Sequence, residues 1–334
     1  MKMSPAISTA TLHSSRENWA DLAKGIAIIL IVLGHVLRGL RNAGLIPENT
    51  LFLLADNFLY TIHVPTFFFL AGYFLHSSTR HGFRAYAQSK LTWIVYPYLL
   101  WSLLQGSVNV IMSAYTNNPL GWMDLIKILW NPIGQFWFLY SLFVIQILYF
   151  PLRNVRTTWL LGGALVFWLA CAYVSPPNLV LSTALGAIFV ILGVVAKSHN
   201  VLFQTVRQNT PLLATTFFLS IGVMLYAEFK YNSIAMLPVS VVGVLALIGG
   251  CMRLTQPRLL LLLKHIGIAS MAILVMHILA ASGLRIILSK VFHLEAPLAH
   301  ILFGTAAGVF LPLIAYRILR YVPYSLAILG LRKN

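Results

Sequence analysis

Ten apolar stretches recur along this chain, at roughly 23–41, 57–76, 92–113, 136–152, 158–175, 179–196, 211–228, 234–251, 266–288 and 298–317. Each is near the ~20 residues that a helix needs to cross a bilayer. In hydrocarbon a spanning segment must satisfy its own backbone hydrogen bonds, so such stretches are read as helices. The sequence therefore predicts an all-α fold, a polytopic membrane helix bundle with about ten transmembrane helices. With 59% hydrophobic and 9% charged residues, the chain lacks the polar surface of a soluble domain of this length. No internal repeat, no soluble domain and no signal-peptide cleavage pattern stands out.

The connections test the count. The net charge of +16 is spread over alternate loops rather than gathered in a patch, which argues against nucleic acid as a partner. One set of loops holds Arg80, Arg84, Lys90, Arg153, Arg156, Lys197, Arg207, Arg253, Arg258, Lys264, Arg317 and Arg320. The acids Glu48, Asp56, Asp124, Glu228 and Glu295 fall in the other set. By the positive-inside rule both termini are cytoplasmic, and an odd number of spans would scramble the alternation. Cys171 and Cys251 lie in or beside apolar spans and read as small buried side chains, not as a disulfide or metal framework.

Four polar residues interrupt the first span: Asp21, Lys24, His35 and Arg38. At 3.6 residues per turn, Lys24 and His35 lie within roughly 20° of one stripe, about 16 Å apart along the axis. Asp21 is near the same stripe and is placed to pair with Lys24. Arg38 sits one turn beyond His35. Charge and imidazole in lipid are costly, and mark a pathway or a reaction centre. His277 in the ninth span also falls near mid-depth, and His63 in the second lies about 9 Å below the outer face. Each of these two either bonds between helices or joins His35 in chemistry. Imidazole suits general-base work near neutral pH.

Pro65 interrupts the hydrogen-bond ladder beside His63, which fits either a simple kink or a cavity wall. Tyr96, Tyr98 and Trp101, around Pro97, either pack or line a sugar site. Arg84 and Lys90 either set topology or draw in a phosphorylated ligand. The long connection 114–135 reads as an interfacial helix or as a loop lying over an active site.

In order along the chain, several blocks resemble one family. Asp21-x-x-Lys24-Gly25-Ile26 with Gly34-His35 resembles the first-helix signature of the acyltransferase-3 membrane O-acyltransferases, a basic residue and a histidine separated by ten positions. The blocks His63-Val-Pro65-Thr-Phe67-Phe68-Phe69 and Pro97-Tyr98-Leu-Leu-Trp101 are similar to its second and third helices. Phe136-Trp137-Phe138-Leu139 and Gly267-x-x-Ser270-Met271-x-Ile273-x-x-x-His277 match later blocks. Within the family the chain looks most like the fucose-4-O-acetylase-like members. It departs where an arginine is usual before the third-helix proline; Trp93 stands there, so Arg84 or Lys90 would take that role.

The resemblance implies a transmembrane acyltransferase domain over 23–317, between a cytoplasmic N-terminal segment (1–22) and a cytoplasmic C-terminal tail (318–334). It implies acyl transfer, usually acetyl, from cytoplasmic acetyl-CoA or another acyl-CoA to a hydroxyl of an envelope glycan or lipid-linked sugar, in a bacterial inner membrane and without a metal. His35 becomes the catalytic histidine, with Lys24, Asp21 and Arg38 beside it. His63, His277 and Trp137 become acceptor-site residues, and Arg84 and Lys90 donor-site residues. The rival reading is a secondary transporter that uses the same groups as a proton relay.

Overall fold

We describe the protein from a computed structural model, over residues 18–80, 82–226 and 233–333. The N-terminal residues 1–17, and with them most of the predicted N-terminal segment, lie outside the described residues, as does Glu228.

Helices follow the apolar stretches. They are α1 (Asn18–Asn42), α2 (Thr50–Tyr73), the single turn α3 (Leu75–Ser78), α4 (Phe83–Lys90), α5 (Tyr96–Ile111), the turn α6 (Asp124–Lys127), α7 (Trp137–Leu152), α8 (Thr157–Val174) and α9 (Asn178–Ser198). Then come α10 (Asn200–Gln208), α11 (Thr210–Tyr226), α12 (Met236–Arg253), α13 (Pro257–Ile268), α14 (Ser270–Lys290), α15 (Pro297–Leu319) and the turn α16 (Ser325–Ile328). A π turn, Leu91–Val95, joins α4 to α5. Among the described residues no strand occurs.

Nine helical segments among the described residues are long and apolar enough to cross a membrane. The span expected at 211–228 falls on α11, whose apolar part, Thr210–Val223, is shorter than the rest. The ninth expected span differs at its start. Its helix is broken at Ala269, and α13 forms a separate helix that packs on α1.

α1 sits in the middle of the bundle, against α2, α12, α13, α14 and α15. Its small residues Ala20, Ala23 and Ala27 and the branched Ile28, Val32 and Val36 are buried among them. A helix with charges in its body is enclosed by protein here rather than by lipid, which lowers the cost of those charges. α2 and α9 cross closely because glycine meets backbone from both sides. Gly72 lies on the Val190 carbonyl and Gly193 on the Phe69 carbonyl, with no room for a Cβ at either. Small residues of this kind let membrane helices approach through their backbones.

Pro65 withholds the amide that would bond Thr61, yet α2 runs unbroken for 24 residues. The next residue, Thr66, donates its hydroxyl to Ile62 O at 2.8 Å. The C-terminal segment folds back against α5 and α15. Tyr96 donates to Ile328 O at 2.6 Å, Trp101 Nε1 to Leu329 O at 2.9 Å and Tyr316 to Arg332 O at 2.9 Å. Tyr98 donates to Ile128 O. The aromatic side chains around Pro97 are thus engaged in packing, one of the two roles their positions allowed.

Candidate active site

α1 carries the four predicted polar residues along one side, and the bundle gives each its own neighbours. At the N-terminal end Lys24 Nζ lies 3.5 Å from Asp21 Oδ1, the pairing expected from their spacing. Asp21 is almost wholly buried. Lys24 also sits over the Phe74 ring at 5.4 Å. A second cation reaches the same place: Lys197, at the end of α9, donates to the Tyr73 hydroxyl at 3.3 Å. Sequence reasoning set Lys197 aside as loop charge, because only packing brings α9 beside the end of α2.

One helical stretch farther along, three imidazoles gather. The rings of His35 and His277 are 5.1 Å apart. His63 reaches them across α2, its ring 4.5 Å from Tyr60, whose ring is in turn 6.5 Å from His35. Gly34 faces this cluster from α1. A Cβ there would stand 3.3 Å from Tyr60 Cε2 and 3.8 Å from His63 Cε1. His63 and His277 are fully buried, and His35 is partly buried.

The hydrogen bonds place a proton on His277. Its Nδ1 lies 3.0 Å from Ile273 O and 2.8 Å from Leu274 O. Both are carbonyl acceptors, so Nδ1 carries a proton. Nε2 of His277 and Nδ1 of His63 have no hydrogen-bond partner among the described residues. Buried polar atoms without partners are uncommon in stable cores, and their clustering here suits a site that receives a ligand.

Beyond the imidazoles, Arg38 forms a two-point ion pair with Asp56 of α2, at 2.6 and 2.8 Å. Its guanidinium also lies 3.4 Å from the centre of the Tyr60 ring. Tyr60 thus stands between Arg38 and the histidines. Asp56 and Tyr60 escaped sequence reasoning; the pairing runs between helices, and neither residue forms a motif of its own.

Arg38 and Tyr60 also form part of the wall of a cavity of about 340 Å³. Trp137, Trp168, Asn178 and Ser182 line it as well, and Pro65 contributes to its side. Such a volume falls within the range of small-molecule sites. Trp137 and Pro65 thus both stand in the wall of this cavity. Asn131, Pro132 and Gly134 of the long 114–135 connection also face this cavity, so that connection covers it. It is fastened to α1 through Asn117 Nδ2, which donates to Gly39 O at 2.9 Å. In the same connection Lys127 hydrogen-bonds Asp124 and holds its carboxyl below the usual carboxylate range.

Arg84 and Lys90 are not part of this assembly. Arg84 is exposed on α4. Lys90 lies 3.4 Å from Ser78 Oγ, just past the end of α2 that meets Lys24. Among the described residues no group of three or more His, Cys, Asp or Glu is arranged to hold a metal ion.

The bundle thus has cations at one end, a cavity at the other and imidazoles between them. No solved structure matches the chain. Nodulation protein NolL of Sinorhizobium fredii (strain NBRC 101917 / NGR234) is 28% identical over 166 residues, 46% of this chain. Its namesake in Mesorhizobium japonicum (strain LMG 29417 / CECT 9101 / MAFF 303099) is 26% identical over 162 residues, also 46% of this chain. These matches span only 42% and 41% of the two relatives' own length. The profile described as "Acyltransferase domain" is far more extensive, matching residues 17–317 and so the whole bundle from α1 to near the end of α15. The chain belongs to the acyltransferase-3 family, and its described residues carry the helices of a multi-pass membrane protein.

Proposed function

We propose that the protein moves an acyl group, acetyl by preference, from a cytoplasmic acyl-CoA to a hydroxyl of an envelope glycan or lipid-linked sugar. The supporting observation is the placement of His35 between two unlike ends of one helix. Lys24 and Lys197 mark the end that meets the donor, with Arg84 and Lys90 on the same side. The cavity behind Arg38 and Tyr60 receives the acceptor. By the charge of its loops the donor end is cytoplasmic, in a bacterial inner membrane, and both termini lie on that side.

In this reading the pantetheine arm threads along α1 and brings the thioester to His35. His35, with His277 beside it, takes the proton of the acceptor hydroxyl as the oxygen attacks the thioester carbonyl. The C–O ester bond forms, the C–S bond breaks, and the proton passes to the departing thiolate. Asp21 holds Lys24 in place at the donor end. Arg38 lies on the acceptor side, paired there with Asp56.

The test is release of free CoA from acetyl-CoA by the purified protein in vesicles, with a panel of envelope glycans, for wild type and His35→Ala. Removal of a general base costs about 10²–10⁴-fold in rate. A folded His35→Ala protein with full turnover overturns the assignment. Proton-coupled flux of a glycan without CoA release favours the transporter instead.

A further inference from the structure

The charge of the cavity points to the kind of acceptor it takes. Among the described residues, Arg38 is the one in the lining that carries a formal charge at neutral pH. The other polar lining groups, among them Asn131, Asn178, Ser182 and Ser240, are neutral, and the indoles of Trp137 and Trp168 line the cavity with them. The Arg38 charge is already answered. Asp56 engages both Nε and Nη2, the two-point geometry that a carboxylate ligand would otherwise use. The Asp56 side chain is only 14% exposed, so little water competes for it. A sugar carboxylate entering the cavity would lose its hydration, find the Nε–Nη2 edge of Arg38 taken and face the like charge of Asp56. Neutral hydroxyls, by contrast, meet amide, hydroxyl and indole groups.

We propose that the cavity selects an uncharged sugar as acceptor, and that Asp56 sets this selection by holding Arg38 in a two-point ion pair. The inference rests on the acyltransferase reading above and narrows its acceptor. Asp56 acts here as a specificity-determining residue through Arg38, not as a group that touches the reacting atoms.

The experiment measures direct binding to the purified full-length protein in nanodiscs, by saturation-transfer NMR and calorimetry, independent of turnover. The probes are matched pairs: methyl glucoside, galactoside and mannoside, each against its own 6-uronate. In at least one pair, wild type should bind the neutral member about tenfold tighter or more. Asp56→Asn frees the guanidinium and should move that ratio toward the uronate by about tenfold or more. Removing both charges in the Arg38→Gln/Asp56→Asn double variant should restore the neutral preference, and it serves if the single variant does not fold. A wild-type preference for the uronate, or an unchanged ratio in folded Asp56→Asn, overturns this proposal and leaves acyl transfer standing. Binding of neither member of any pair overturns both this proposal and the sugar acceptor, while CoA release reports separately on acyl transfer.

Discussion

Replacing Gly193 by alanine should loosen the bundle where α9 crosses α2 backbone to backbone. A Cβ at this position would stand 2.7 Å from Tyr73 N and closer still to the Phe69 carbonyl. Both are backbone of α2, and helix backbone cannot turn aside as a side chain can. The two helices must separate, and overpacking of this kind costs about 1–3 kcal/mol. The control is Gly163→Ala on α8, where an added Cβ meets nothing within 4 Å. There only the helix propensity changes, in favour of alanine by up to ~1 kcal/mol. That gain applies equally at Gly193, so the two variants should differ by the overpacking alone, about 1–3 kcal/mol. Thermal unfolding in matched detergent micelles, scored by the fraction that stays monodisperse, reads the difference as a lower midpoint for Gly193→Ala alone. Since α2 also carries Asp56, Tyr60 and His63, acyl-transfer activity should fall with it. Equal midpoints for the two variants would refute the close crossing and the geometry of α2 that depends on it.

Two further outcomes bear on the site. His277→Ala removes the imidazole 5.1 Å from His35 and should lower CoA release by about 10²-fold with little change in acceptor KM, because the ring lies behind the cavity and not in its wall. Initial rates against acceptor concentration check this. Trp137→Ala removes an aromatic wall of the cavity and should act the opposite way, raising acceptor KM by about tenfold while acceptor-independent hydrolysis of acyl-CoA stays near wild type.

Much of this arrangement could be read from the amino acids alone, and the part that could not has a common cause. Hydropathy located the spans because bilayer thickness imposes one length on all of them. It faltered at α11, whose apolar part is short, and at α13, whose Leu-rich run is a separate helix packed on α1. The Lys24–His35 stripe was legible because both residues ride on one helix, and helical periodicity fixes their relation. Depth put His63 and His277 near the level of His35, but only the packing of α2 and α14 on α1 brings the rings together. By contrast, the pairing of Arg38 with Asp56 and the meeting of Trp137 with Trp168 and Asn178 depend on which helices are neighbours. Lateral order in a bundle is set by packing of small residues such as Gly72 and Gly193, and no periodicity records it. The assignment of Tyr96 and Trp101 was undecidable for the same reason, since their partners Ile328 and Leu329 are more than two hundred residues away.

The ion pair between Arg38 and Asp56 also bears on how the chain enters the membrane during synthesis. Its two members stand on consecutive spans, eighteen residues apart, at the ends that α1 and α2 share. In the proposed orientation both must be carried across the bilayer, and a lone arginine or aspartate at the centre of a span costs about 2.5–3.5 kcal/mol on insertion. Joined by two hydrogen bonds, the pair makes the passage with no net charge. The α1–α2 hairpin, rather than either helix by itself, is then the natural unit of insertion, and the first charge to emerge waits for its counterion before it commits to lipid.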